Sequence, residues 1–225
     1  MKVIITGTTG MVGEGVLLEC LAQPIVTEVL SVSRKPTGIN HPKLKEYIVP
    51  DFLSLNEGDE QLKGYDACFF CAGVSSVGMK EAEYTRLTYD TALAFAKALS
   101  PKPQMSFIYV SGASTDSTEK GRMMWARVKG KTENDLMKLP FRQVFAFRPG
   151  LMTIIEGQQR VLKLYKRLSW LVPVLKLLIP SRINSLHQVG QAMIYASQYG
   201  YEKNIIEIRD ITTLANRAKE KLSAS

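Results

Sequence analysis

The stretch "VIITGTTGMVGEG", residues 3–15, decides how the whole chain is read. A short run of β-formers passes directly into three glycines, Gly7, Gly10 and Gly13, spaced GxxGxxG, and then into an apolar segment that continues at helical spacing. A turn of this kind, after a first strand and opening a helix, leaves backbone amides and the positive end of a helix dipole facing whatever binds there, and a phosphate fits it. A tight turn needing positive φ would account for one glycine and leave the other two unexplained. The turn Gly7, Thr8, Thr9, Gly10, Met11, Val12 and Gly13 is therefore the first predicted cofactor-binding element.

Outward from that turn, apolar stretches alternate with amphipathic ones. The spacing predicts strands near 2–6, 28–33, 45–49, 66–71, 105–111 and 142–147, and helices near 11–22, 79–98, 119–138, 157–170 and 184–199. Short apolar strands separated by helices imply parallel pairing through right-handed crossovers, hence an α/β, doubly wound, Rossmann-like sheet. At 225 residues, with no repeat and no linker-like tract, the expectation is a single domain over 1–225, with 151–200 as a small helical lid or substrate region.

Ligands of such sheets sit beyond the carboxyl ends of the strands, which singles out the residues just after each one. The strand "EVLSVSRK" ends in Ser33, Arg34 and Lys35, where an acid would meet a free ribose hydroxyl and a base would meet a 2′-phosphate. No acid is present, so NADP is expected over NAD; a solvated basic turn is the plainer alternative. "VPDF" places Asp51 to accept from an adenine amine, beside Phe52, and "FFCAG" brings Cys71, Ala72 and Gly73 to the same edge. Taken singly, Asp51 also reads as a helix N-cap and the Ala-Gly pair as a small-residue turn.

The formal net charge is +8, and no Asp or Glu occurs from Gly157 to Tyr201, where Arg160, Lys163, Lys166, Arg167, Lys176 and Arg182 fall. That stretch is a basic surface suited to an anion. These bases are interleaved with core aliphatics and no nucleic-acid motif accompanies them, so nucleic acid is not an expected partner. Three cysteines, an odd number, argue against a disulfide framework, and the amino terminus lacks a signal-peptide core; both point to a reducing, cytoplasmic setting. Cys68 and Cys71 form a CxxC inside a predicted strand, where residues three apart face opposite sides, so a shared metal or redox pair is disfavoured.

With "TGTTGMVG", "SRK", "DF", "CAG", "YVSGAST", the lysine of "WARVKGKTE" and "FRPG" in this order, the sequence resembles the short-chain dehydrogenase/reductase superfamily, in its atypical, epimerase-like, NAD(P)-binding branch. Within it, the chain is similar to the Tat-interacting-protein-like group and to bacterial proteins labelled nucleoside-diphosphate-sugar epimerases, which its "HQVGQAMIYAS" and "IIEIRDI" also resemble. The resemblance implies that Ser111 orients a substrate carbonyl or alcohol, that Lys129 holds the nicotinamide ribose, and that Arg148, Pro149 and Gly150 form the turn beside the nicotinamide. Ser111 and Lys129 are the implied catalytic pair.

In the superfamily a tyrosine stands four residues before that lysine and completes proton transfer; here the position is Trp125. An indole N–H donates a hydrogen bond but does not titrate in water's range, so it cannot pass a proton in each turnover. Tyr84 and Tyr89 read mainly as packing residues of their helix, His187 as a histidine opening a helix, and His41 as a surface loop residue.

Along "QRVLKLYKRLSW" apolar residues recur at helical spacing with Lys163, Lys166 and Arg167 off the stripe. The following "LVPVLKLLIP" is broken by Pro173, Lys176 and Pro180, too short for a membrane span. A lid over the substrate, a subunit contact in a homo-oligomer and a peripheral membrane contact are the three readings, the last the weakest. Two functions follow: an NADP-dependent oxidoreductase or epimerase-like enzyme on a small, anionic carbonyl or sugar substrate, or a non-catalytic NADPH-binding regulator.

Overall fold

The computed structural model describes residues 1–161 and 182–223. Its centre is a seven-stranded sheet built from β1 (Lys2–Thr6), β2 (Glu28–Ser33), β3 (Leu44–Ile48), β4 (Ala67–Phe70), β5 (Ser106–Val110), β6 (Gln143–Phe147) and, after two strands of a separate pair, β9 (Ile205–Ile206). The order is β3-β2-β1-β4-β5-β6-β9 and every pairing is parallel. Chain direction reverses its progress across the sheet at β1, so the end of the first strand lies at the crevice where doubly wound sheets bind ligands. The expected Rossmann-like architecture is thus observed.

Alternate residues of the buried strands feed two cores, one on each face. Val3, Ile5 and Phe69 point to a face covered by α1 (Met11–Ala22), α5 (Leu186–Tyr199) and α6 (Ile208–Ser223), through Val16, Leu17, Val189, Met193, Ile211 and Leu214. Ile4, Phe70, Phe107 and Tyr109 point to the other face, where α3 (Thr91–Ala98) and α4 (Met124–Leu136) contribute Phe95 and Leu136. Each fully buried Phe or Leu of these layers contributes about 1.5–3 kcal/mol of transfer free energy. Cys68 belongs to one core and Cys71 packs against the other, as expected for residues three apart on a strand. Burial pushes the Cys71 thiol up to about 12 and Cys68 well above its usual value, so both remain protonated at neutral pH.

The predicted helix at 79–98 is α2 (Glu81–Thr85), a single π-turn (Arg86–Asp90) and α3 in succession. The described residues of 151–200 include two strands and a core helix. Leu151–Thr153 (β7) and Ile183–Ser185 (β8) pair in parallel, and α5, opened by a capping box between Ser185 and Gln188, is a core element with Val189, Ala192 and Met193 fully buried. Of the helix expected over 157–170, residues 157–161 are turn and irregular backbone, and the remainder, with most of the basic amphipathic segment, lies outside the described residues. Among the strands and α-helices described, β7, β8, β9 and α6 escaped sequence reading; β9 is two residues long, and α6 packs on α5 and β9.

Candidate functional site

Gly7 adopts φ +69, a left-handed conformation that favours glycine, and a Cβ there would lie 2.6 Å from the Ala72 amide nitrogen. At Gly13 a Cβ would sit 2.2 Å from the Gly7 carbonyl oxygen, so the turn is drawn against the first turn of α1 in a way no side chain allows. The Gly10 amide donates to the Gly7 carbonyl at 2.9 Å, and Gly10 caps α1 with no side-chain acceptor. The first amides of a helix have no intrahelical acceptor, and those of α1 are left open toward the turn. Thr8 takes no part in lining this cleft: its hydroxyl is buried against Ser31 at 2.7 Å and ties the turn to β2.

The turn forms one wall of a cleft of about 510 Å³ that also takes in Ser33, Arg34, Asp51, Phe52, Cys71, Ala72 and Gly73. Ten of the sequence-predicted cofactor positions are thereby brought together: these seven with Gly7, Thr9 and Gly10. Ser33 Oγ donates to the Lys35 carbonyl at 2.6 Å, which folds the basic turn back on the end of β2. Asp51 Oδ1 accepts from the Leu53 amide at 2.9 Å, so the N-cap reading of this residue holds, and the residue is exposed. Leu53, Val74, Arg86, Leu87 and Thr91 also line the cleft and were not foreseen; for Arg86, Leu87 and Thr91, helix periodicity gave no hint of what the π-turn would rotate toward it.

Further along the same edge, Ser111 follows β5 and Lys129 lies on α4. Ser111 Oγ donates to the Phe147 carbonyl at 3.2 Å, and the Lys129 ammonium donates to the Ser111 carbonyl. Burial lowers the Lys129 ammonium to about 8, an effect that nearby Glu133 partly opposes. Trp125, on the first turn of α4, stands one turn before Lys129 and is half-buried. Among the described residues, Tyr84, Tyr89 and Tyr109 do not take its place. Tyr89 donates to Asp135 Oδ2 at 2.7 Å, and Tyr84 and Tyr109 are buried in the core, where desolvation raises both phenols. His187 pairs with the buried carboxylate of Glu19 between α1 and α5, away from Ser111.

Arg148, expected beside the nicotinamide, has its guanidinium committed elsewhere. It donates through Nε and Nη2 to both oxygens of Glu133, through Nη2 to Ser117 and through Nη1 to Glu207 at 3.2 Å. A Cβ on Gly150 would meet the Arg182 carbonyl oxygen at 2.5 Å, so this glycine admits the chain that leads into β8. Pro149 accepts from the Ala113 amide at 2.9 Å. The "RPG" turn thus fixes β6 to its neighbours through these groups, and Arg148, Pro149, Gly150, Ser111 and Lys129 lie outside the 510 Å³ cleft.

A strap over residues 155–161 crosses the start of α1. Glu14, 4 % exposed, accepts from the Gln159 amide at 3.0 Å and the Arg160 amide at 2.6 Å, and Gln158 Nε2 donates to the Met11 carbonyl at 2.6 Å.

Glycine turn and parallel sheet define a Rossmann-type protein. A family profile, NAD dependent epimerase/dehydratase family, matches residues 3–116, and the chain belongs to that family. Among its relatives are "Protein FMP52-1, mitochondrial" of Scheffersomyces stipitis, 26 % identical over 95 % of this chain and 98 % of that protein, and "Protein fmp52, mitochondrial" of Emericella nidulans, 28 % identical over 70 % and 68 %. Those names carry a location and no reaction. Similar solved structures include the UDP-glucuronic acid 4-epimerase of Bacillus cereus with UDP-glucuronic acid and NAD, at TM-score 0.63 and 16 % identity over 100 % of this chain and 84 % of that one. The UDP-N-acetylglucosamine 4-epimerase of Methanobrevibacter ruminantium M1 superposes at TM-score 0.64, with 15 % identity over 92 % and 75 %. The fold is theirs. The expected cytoplasmic location is corrected by the fungal relatives, which are named mitochondrial; free cysteines separate reducing from oxidising surroundings and do not single out the cytosol.

Proposed function

We propose that this protein binds NADP(H) on the glycine turn and works as an oxidoreductase or epimerase-like enzyme on a small anionic alcohol or carbonyl compound, a sugar nucleotide among the candidates. One observation carries the reading: the cleft joins the glycine turn to a β2 end that presents Ser33, Arg34 and Lys35 and no carboxylate. A free ribose 2′-hydroxyl has no acid to meet there, whereas a 2′-phosphate meets a guanidinium. The relatives' names support a mitochondrial setting.

Gly7, Thr9 and Gly10 would hold the pyrophosphate, Arg34 and Lys35 the 2′-phosphate, and Phe52, Leu53 and Ala72 the adenosine. A bound nicotinamide would supply hydride exchange at a carbinol or carbonyl carbon. Wild-type protein is expected to bind NADPH about 10-fold or more tightly than NADH by calorimetry, and Arg34→Ala to remove the difference. Equal affinities in the wild type would overturn the NADP assignment.

Proton handling falls to Lys129. With its titration lowered to about 8, ammonium and amine coexist near neutral pH, so Nζ can give a proton to a substrate oxygen and recover it, which the Trp125 indole cannot. Ser111 Oγ, already donating to Phe147, has lone pairs left to accept from a substrate hydroxyl. NMR titration of the Lys129 Nζ is expected to show a midpoint about 8, and a midpoint near 10.5 would remove this role. The displacement also sets a stability trend. Between about 8 and 10.5 the unfolded chain holds the proton that the folded one has released, so Lys129 makes unfolding costlier as pH rises through that window.

A second reading, a non-catalytic NADPH-binding regulator, is favoured by Trp125 in the tyrosine position. It predicts nucleotide binding together with no product in a screen of sugar nucleotides and aldehydes.

A further inference from the structure

Arg34 follows β2 and Arg86 opens the π-turn that follows β4 and α2. In the sheet β1 lies between β2 and β4, and the two arginines reach the cleft from different connections, one after β2 and one after β4. Both line the same cleft and both are exposed. Among the described residues neither guanidinium has a carboxylate within ion-pair distance, although most of the other arginines near the sheet are paired or hydrogen-bonded.

The backbone around Arg86 departs from an α-helix. A π-turn inserts an extra residue, changing the angular position of every side chain after α2, and such turns cost helix regularity and are frequent at functional sites. Here Thr91 Oγ1 donates to the Arg86 carbonyl at 3.0 Å, closing the widened turn, and Arg86, Leu87 and Thr91 all line the cleft. In a regular helix positions 86 and 91 stand about 140° apart, and the wider π-turn brings them closer to one face.

We propose that Arg86 is a side-chain clamp for the dinucleotide pyrophosphate, a specificity element for diphosphate-bridged ligands distinct from the 2′-phosphate contact of Arg34. This rests on the dinucleotide reading given above. The assignment to the pyrophosphate follows from placement. Arg34 and Lys35, at the end of β2, stand where a dinucleotide fold meets the adenosine ribose, and Arg86 reaches the same cleft from the connection after β4, apart from that basic turn. The glycine turn supplies only neutral amides for two negative charges, and a guanidinium forms stronger, charge-assisted bonds to phosphate oxygens.

The test is a set of affinities measured by calorimetry for NADPH and NADH, and by NMR for adenosine 2′-monophosphate, which lacks a pyrophosphate. Arg86→Ala is expected to weaken NADPH and NADH by the same factor, about 10-fold, to keep their ratio, and to leave adenosine 2′-monophosphate unchanged. Arg34→Ala is expected to change the ratio and to lose adenosine 2′-monophosphate. Arg86→Lys keeps the charge and should recover part of the loss. Thermal melting controls for folding, and an exposed, unpaired side chain should leave the melting temperature in place. Arg86→Ala binding both dinucleotides like wild type overturns the clamp while the dinucleotide reading stands. A change confined to NADPH overturns the pyrophosphate assignment in favour of the 2′-phosphate. Wild-type protein binding neither dinucleotide overturns the dinucleotide reading itself and the clamp with it.

Discussion

Arg148→Ala is expected to lower the unfolding free energy by about 3–5 kcal/mol, the cost of leaving a buried charge without its partner. The reason lies in Glu133, whose side chain is 1 % exposed and whose two oxygens both accept from Arg148. Removing the guanidinium strands that carboxylate and also releases Ser117 and Glu207, which anchor the loop before α4 and the start of α6. For a chain of this length the loss corresponds to a fall in melting temperature of roughly 6–20 °C. Arg148→Met with Glu133→Leu removes both charges and fills similar volume, so it should recover most of the loss. Calorimetric melting of the single and double variants checks this. A single variant melting within about 2 °C of wild type would show that the network contributes no net stability.

Gly13→Ala is expected to be the more damaging change for ligand binding. Its methyl would need the space of the Gly7 carbonyl, 2.2 Å from the ideal Cβ position, and backbone on both sides must move to admit it. Overpacking of this kind costs about 1–3 kcal/mol of stability. The same movement pulls the open amides of α1 from the turn, so dinucleotide affinity should fall by about 100-fold, or about 2.7 kcal/mol. Gly157→Ala serves as a contrast, since a Cβ there meets no atom within 4 Å, and its φ of +82 limits the damage to local strain. Equal dinucleotide affinity in Gly13→Ala and wild type would take the glycine turn out of the binding site.

Sequence reading reached the sheet, and placed ten expected residues around one cleft, because both depend on local signals. Strand period, turn glycines and the residues that follow each strand are fixed within a few positions of one another, and the observed cleft gathers ten of the expected residues. Contacts between distant segments were not legible. The resemblance gave Arg148 a place in a turn, but no local pattern could show that its guanidinium bonds Glu133 and Glu207, 15 and 59 residues away. Arg86 was passed over because an apolar helical stripe predicts regular spacing and the π-turn breaks it. The cytoplasmic location failed for a different reason: cysteine pairing reports redox conditions, and more than one compartment is reducing.

The strap held by Glu14 bears on how the chain assembles. Its two amide donors come from 145 and 146 residues downstream, and α5, further still, supplies much of the layer over α1. Residues 3–116, which carry the family signature, therefore end before the β6 edge, the cover of α1 and the groups that satisfy the Glu14 carboxylate have been made. Closing so large a loop carries an entropic cost that must be met before these contacts repay it, which places completion of the glycine-turn helix late in folding. A nascent chain emerging from the ribosome would have its glycine-turn sequence exposed long before the cleft it lines was finished.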